Sequence, residues 1–124
     1  IGELLNRANL KFMLGCVSLE TTNYAAGWAL YRYFQKKHLI SEILEAEPRS
    51  QYMLENAPEE EIQKLLQDEN LLKRSLPPLF KGYLRLGCKI CGNPALDEEF
   101  GTIDFLIIVD KQKVPERYMR HFIQ

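Results

Sequence analysis

The chain has 124 residues, room for one domain with its own core, and 46% of them are hydrophobic, an ordinary share for a globular protein. Sixteen basic against seventeen acidic residues leave a formal net charge of -1, which gives no electrostatic case for nucleic acid or for strong attraction to anionic lipid. No apolar run approaches a membrane span and none has the makeup of a signal peptide, while three cysteines, at 16, 88 and 91, make no disulfide framework and fit a reducing cytoplasm.

Taken in order, Glu3, Leu4, Leu5 and Ala8 read as the end of a helix that stops near Asn9, and Ile1 is not an initiator methionine. The chain is therefore expected to be the C-terminal piece of a longer one. Lys11 to Leu19 alternates, with Phe12, Leu14, Cys16 and Ser18 on one face and Met13, Gly15, Val17 and Leu19 on the other. Both faces are mostly apolar, as in an interior strand. Thr21, Thr22 and Asn23 offer caps for a helix over 23–37, whose last turn is basic. Residues 39–57 carry scattered single hydrophobics and Pro48, which reads as a connection.

Pro58 followed by three glutamates starts a helix, since the acids meet the positive end of its dipole. Ile62, Leu65, Leu66 and Leu72 extend its apolar stripe over 59–74. Pro77 and Pro78 begin another, over 77–86, in which Leu79, Phe80, Tyr83 and Leu84 recur at helical spacing and Lys81 and Arg85 stand one turn apart on the polar side. Gly87 is its expected left-handed stop. A short strand follows over 88–92, then a turn or wide hairpin connection from Ala95 to Phe100. Ile103 to Val109, dense in Val, Ile and Phe, is the clearest strand of all. Pro115 opens a last short helix in which Tyr118, Phe122 and Ile123 can pack back. The fold class is α/β (α+β), a mixed and mostly antiparallel sheet flanked by helices.

Few residues carry chemistry by pattern alone. Cys88 and Cys91 have the spacing of half a zinc site without a second pair, and two small buried residues on a strand account for them. Lys81 and Arg85 could receive a phosphate or an acidic carrier surface, or form a solvated face. Tyr83 lies on the apolar stripe, a place for a core ring whose hydroxyl reaches a backbone group. Asp104, inside Ile-Asp-Phe-Leu-Ile-Ile-Val, is costly to bury unless a cation or an amide pairs with it, and either an arginine or lysine partner or a substrate role would explain it. Ser18 ends the first strand with no histidine and acid in a triad order.

The stretch from Leu76 to Gly92, followed by Asn93-Pro94-Ala95, Asp97, Phe100-Gly101-Thr102, Asp104-Phe105, Arg117-Tyr118 and His121-Phe122, together with Leu14 to Leu19, resembles bacterial acyltransferases of the GNAT-like class. These are the amino-acid N-acyltransferases of ornithine-lipid or glycine-lipid synthesis, often labelled hemolysins. The resemblance implies the C-terminal part of a GNAT-like sheet, with Lys11 to Leu19 as the second of two splayed strands between which an acyl thioester lies. It also implies acyl carrier protein as thioester donor and partner, an amino acid as acceptor, no bound cofactor or metal, and a cytoplasmic place at most peripheral to the inner membrane.

With the first splayed strand missing, the chain alone is expected to be inactive, and its exposed strand edge to recruit a second copy as a homodimer. Substrate-binding candidates are Ser18, Lys81, Tyr83, Arg85 and Asp104, the last two expected in one polar cluster; no catalytic residue is assigned. A non-catalytic module for a carrier or partner helix is the alternative, and a lytic protein is disfavoured because no segment suits insertion.

Overall fold

The computed structural model describes residues 11–119, so the helix read at 1–9 and the positions of His121, Phe122 and Ile123 lie outside the described residues. In chain order come β1 (Phe12–Leu19), α1 (Tyr24–Lys36), a single 3-10 turn (Ser50–Tyr52), α2 (Glu59–Leu66), α3 (Glu69–Ser75) and α4 (Pro78–Arg85). They are followed by β2 (Lys89–Ile90), β3 (Ala95–Asp97), β4 (Thr102–Asp110), a second 3-10 turn (Lys111–Lys113) and α5 (Glu116–Met119). No described helix is long and apolar enough to cross a membrane.

β4 is the middle of the sheet. β1 lies antiparallel along one side of it, from Phe12 opposite Asp110 to Leu19 opposite Ile103. β2 and β3 share the other side, with Ile90 opposite Ile107 and Ala95 opposite Asp104. All three ladders are antiparallel, with one isolated parallel bridge between Ile40 and Ile90 beside them; an antiparallel sheet with flanking helices agrees with the expected α/β fold class. Among the described residues β4 holds the interior position, and β1 has one ladder partner.

The two-residue period of the strands decides which face is covered. Val17 and Leu19 of β1 and Ile103, Phe105, Ile107 and Val109 of β4 are buried together. Against them α1 lays Leu30 and Phe34 and α4 lays Phe80, all nearly or fully inaccessible. The rings of Phe34, Phe80 and Phe105 form a triangle with centroids 5.5–5.7 Å apart, close enough for edge-to-face attraction in addition to burial. The opposite face carries Cys16, Ser18, Thr102, Asp104 and Leu106, exposed or half-buried, and the buried Ile108.

Local chemistry explains the helix ends. The Asn23 side chain accepts from the backbone N–H of Ala25 at 3.0 Å, capping α1 as its sequence suggests. The helix expected over 59–74 is broken in two: α2 stops at Leu66, and Asp68 accepts from the N–H of Leu71 at 3.0 Å to cap α3. A short acidic side chain competes for backbone donors better as a cap than as an interior residue. Pro78 opens α4, and Gly87, at φ 88°, ends it while the N–H of Cys88 returns to the carbonyl of Tyr83 at 3.1 Å. The apolar stripe of α4 is narrower than expected, because Leu79 is 64% exposed and only Phe80 is fully buried. Ala95 to Asp97 form a strand where a turn was expected; three residues with one buried leucine between them leave too short a period to read.

α1 is tied to α2 by a two-pronged pair: Arg32 Nη1 and Nη2 donate to Glu59 Oε1 and Oε2 at 2.5 and 2.7 Å. The guanidinium, helped by the Gln63 amide, holds the Glu59 carboxyl down to about 2 from its ordinary 4.5. Because the folded value is the lower one, this contribution to stability is present above pH 4.5 and is lost as pH falls toward 2. The stability difference between the protein and its Glu59→Gln variant, measured by urea denaturation, is therefore expected to shrink toward zero between pH 5 and pH 2. A difference independent of pH in that window would show that the pair does not act on folding.

Candidate functional site

Strand register assembles the site. Ser18 stands directly opposite Asp104 across β1 and β4, and Thr102 lies two residues before Asp104 on the same strand and the same face. Both hydroxyls donate to Asp104 Oδ1, Ser18 Oγ at 2.7 Å and Thr102 Oγ1 at 2.9 Å. The carboxylate is thus held by two hydroxyls, and of the two explanations the sequence left open for it, an arginine or lysine partner is absent among the described residues.

Above this face the 39–57 connection forms one wall of a groove of about 310 Å³. Its course is set by backbone contacts with the strands: the N–H of Ile90 donates to Leu39, that of Ser41 to Ile90, and that of Ala46 to Cys91 at 2.9 Å. Gly92, at φ 111°, is what lets the connection come so close, since a Cβ there would lie 1.9 Å from the Ala46 carbonyl oxygen. Pro48 and Tyr52 from the connection, Asn93 from just before β3, Asp97 at its end, and Cys16 and Leu106 from the sheet line the groove around Asp104. Among the described residues its charged lining is Glu47, Asp97 and Asp104, with no lysine, arginine or histidine.

Cys16 is exposed in this groove, but burial of the sulfur and then the nearby Asp104 carboxylate push its thiol up. It is a weak nucleophile at neutral pH, where the thiolate is the reactive form. Cys88 and Cys91 are both buried, as the sequence suggested; burial, with Cys91 beside it, pushes Cys88 up to about 12. Ser18 directs its proton to a carboxylate, so its observed role is to hold Asp104.

The remaining candidates lie elsewhere. Tyr83 and Arg85 line a second groove, of about 360 Å³, together with Leu79 and Tyr118. Lys81 is on the same helix one turn before Arg85. Arg85 is exposed and lines none of the Asp104 groove, so the polar cluster expected of these two residues does not form. A third opening, about 760 Å³, runs beside β1 from Ser18 to Thr21 and along the start of α4 at Pro77 to Phe80. It shares Cys16 with the Asp104 groove, so the two adjoin at β1. Nothing in the local sequence marks Tyr52 or Ala46 as walls. Thr102 could have been found, because strand alternation alone puts it on the face of Asp104.

These features define an α/β domain with a small, acid-lined groove beside a larger opening. Over 48 residues, 39% of its length, the chain is similar to three curated proteins, each named L-ornithine N(alpha)-acyltransferase. The identity is 46% with that of Brucella abortus, 40% with that of Rhizobium meliloti and 33% with that of Agrobacterium fabrum. The resemblance to amino-acid N-acyltransferases is thereby borne out. The matched stretch spans only 16–17% of these relatives' own length. No protein-family profile matches the chain, and no solved structure matches it.

Proposed function

We propose that this chain serves an amino-acid N-acyltransferase that moves a 3-hydroxyacyl group from the thioester of acyl carrier protein to the α-amine of ornithine, giving a lyso-ornithine lipid. The observation that carries this reading is the 46% identity to an ornithine acyltransferase. In the reaction the neutral amine nitrogen attacks the thioester carbonyl, the N–C bond forms, the C–S bond breaks, and the nitrogen's proton leaves as the thiolate departs. Such a transfer needs two adjoining sites, because positioning of amine and carbonyl supplies much of the rate.

The geometry accords with that need. The large opening beside β1 suits the acyl thioester of a GNAT-like splayed sheet, and the groove at Asp104 suits the small acceptor. Lys81 and Arg85 on α4 offer cations to an acidic carrier or its phosphate. The enzyme would act in the cytoplasm, at most peripheral to the inner membrane, and the uncharged β1, Phe12–Leu19, would pair with a second copy where nothing else covers it.

The test is to express the complete gene in a bacterium that makes no ornithine lipid and to analyse its lipids by mass spectrometry. A new species with the mass of 3-hydroxyacyl-ornithine is expected. Its absence from cells that accumulate the folded protein would overturn the reading.

A further inference from the structure

We propose that Asp104 is the specificity-determining residue for an acceptor that carries a second ammonium group, which its Oδ2 receives in the groove under the 46–52 segment. The inference rests on the acyl-transfer reading for the word acceptor, and on the groove alone for the ligand's chemistry. A carboxylate has about four acceptor positions over two oxygens. Here both hydroxyl donors, at 2.7 and 2.9 Å, are spent on Oδ1, and Oδ2 has no partner among the described residues. The clamp fixes the group from the sheet side and leaves the other oxygen to the groove.

The lining selects the rest of the ligand. Glu47 and Asp97 add negative charge, and no cation lies in the lining among the described residues, so an anionic ligand is repelled and a cation is drawn in. Tyr52, Pro48 and Leu106 present apolar surface on which a short methylene stem can lie while its ammonium tip reaches the carboxylate, the division of labour typical of such side chains. The volume of about 310 Å³ is at the lower end of ligand pockets, room for an amino acid and not for a long acyl chain. The acceptor's α-amine is then directed toward Cys16, where the groove adjoins the opening beside β1.

The test compares L-ornithine with L-norvaline, which has the same carbon chain and lacks the terminal ammonium. In amide NMR titrations of the chain, L-ornithine is expected to shift the signals of Cys16, Asn93 and Ala95 at millimolar concentration, with an affinity at least 10-fold above that of L-norvaline. Asp104→Asn keeps an acceptor for both hydroxyls, so it is expected to stay folded and to abolish that preference. In the complete enzyme the same substitution is expected to lower the ornithine-to-norvaline ratio of kcat/KM by about 10- to 100-fold, the loss of one charged contact.

Equal affinities in the unsubstituted chain, or an unchanged ratio in the variant, would overturn the assignment. The unchanged ratio is also what a carboxylate acting as a general base, or only as a clamp between strands, would give. Selective binding without any acylation would leave the site standing and remove the acyl-transfer reading; acylation without selectivity would do the reverse.

Discussion

Phe105→Ala is expected to cost about 3–5 kcal/mol, the range for removing a fully buried phenyl ring and leaving a cavity. The ring is inaccessible at the centre of the middle strand, and it touches both helices that cover the sheet, through Phe34 of α1 and Phe80 of α4. Neither neighbour can relax into the gap without giving up its contact with the other. Domains have only about 5–15 kcal/mol in hand, so the variant should be partly unfolded without denaturant or show a urea midpoint lower by about 2 M at a typical slope. Phe105→Leu, which refills most of the volume, should recover more than half of the loss. A cost below about 1 kcal/mol for the alanine variant would mean that the aromatic triangle is not what joins helices to sheet.

The second large effect is expected at Gly92, for a different reason. Alanine there needs a backbone conformation rarely open to L residues, at φ 111°, and its Cβ would fall 1.9 Å from the Ala46 carbonyl oxygen. A carbonyl of the main chain cannot swing aside as a side chain can, so the connection must move away and the bond from the Ala46 N–H to Cys91 must open. Strain of about 1–3 kcal/mol and a lost hydrogen bond of about 1 kcal/mol together predict a destabilisation of about 2–4 kcal/mol. The damage should be local: thermal melting falls by several degrees, while amide signals of 46–52 shift and those of α1 and α4 do not. A variant as stable as the parent would show that the wall of the Asp104 groove is not held there by Gly92.

What could be read in the sequence follows from how local its causes are. Thr102–Asp110 was legible because nearly every residue in it favours a strand, and the cap at Asn23 and the stop at Gly87 because each acts through its own neighbours. The break at Asp68 was not, since the same residue is tolerated inside a helix and is better at its start. The path of 39–57 was hidden for a stronger reason. Its contacts, Ile40 with Ile90 and Met53 with Ala95, join distant parts of the chain and leave no period behind. The site divides in the same way. An acid in an apolar strand marked Asp104, but its bond to Ser18 spans 86 positions and depends on a register that no single segment encodes. Arg85 looked like its partner because both belonged to one recognised pattern, and the fold placed them on different grooves.

The central place of β4 has a consequence for how the chain is made. Of the described strands it is the last to leave the ribosome, yet it is the one to which β1 pairs: Leu19 meets Ile103, 84 residues later by subtraction. At roughly 5–20 residues per second, the first strand waits about 4–17 s for its partner to be synthesised. Contacts so remote in sequence also close slowly once both segments exist. Throughout that interval Phe-Met-Leu-Gly-Cys-Val-Ser-Leu, with no charge and no proline, is open to any other strand in reach. The strand order of this sheet therefore makes β1 the segment most exposed to mispairing while the chain is being made.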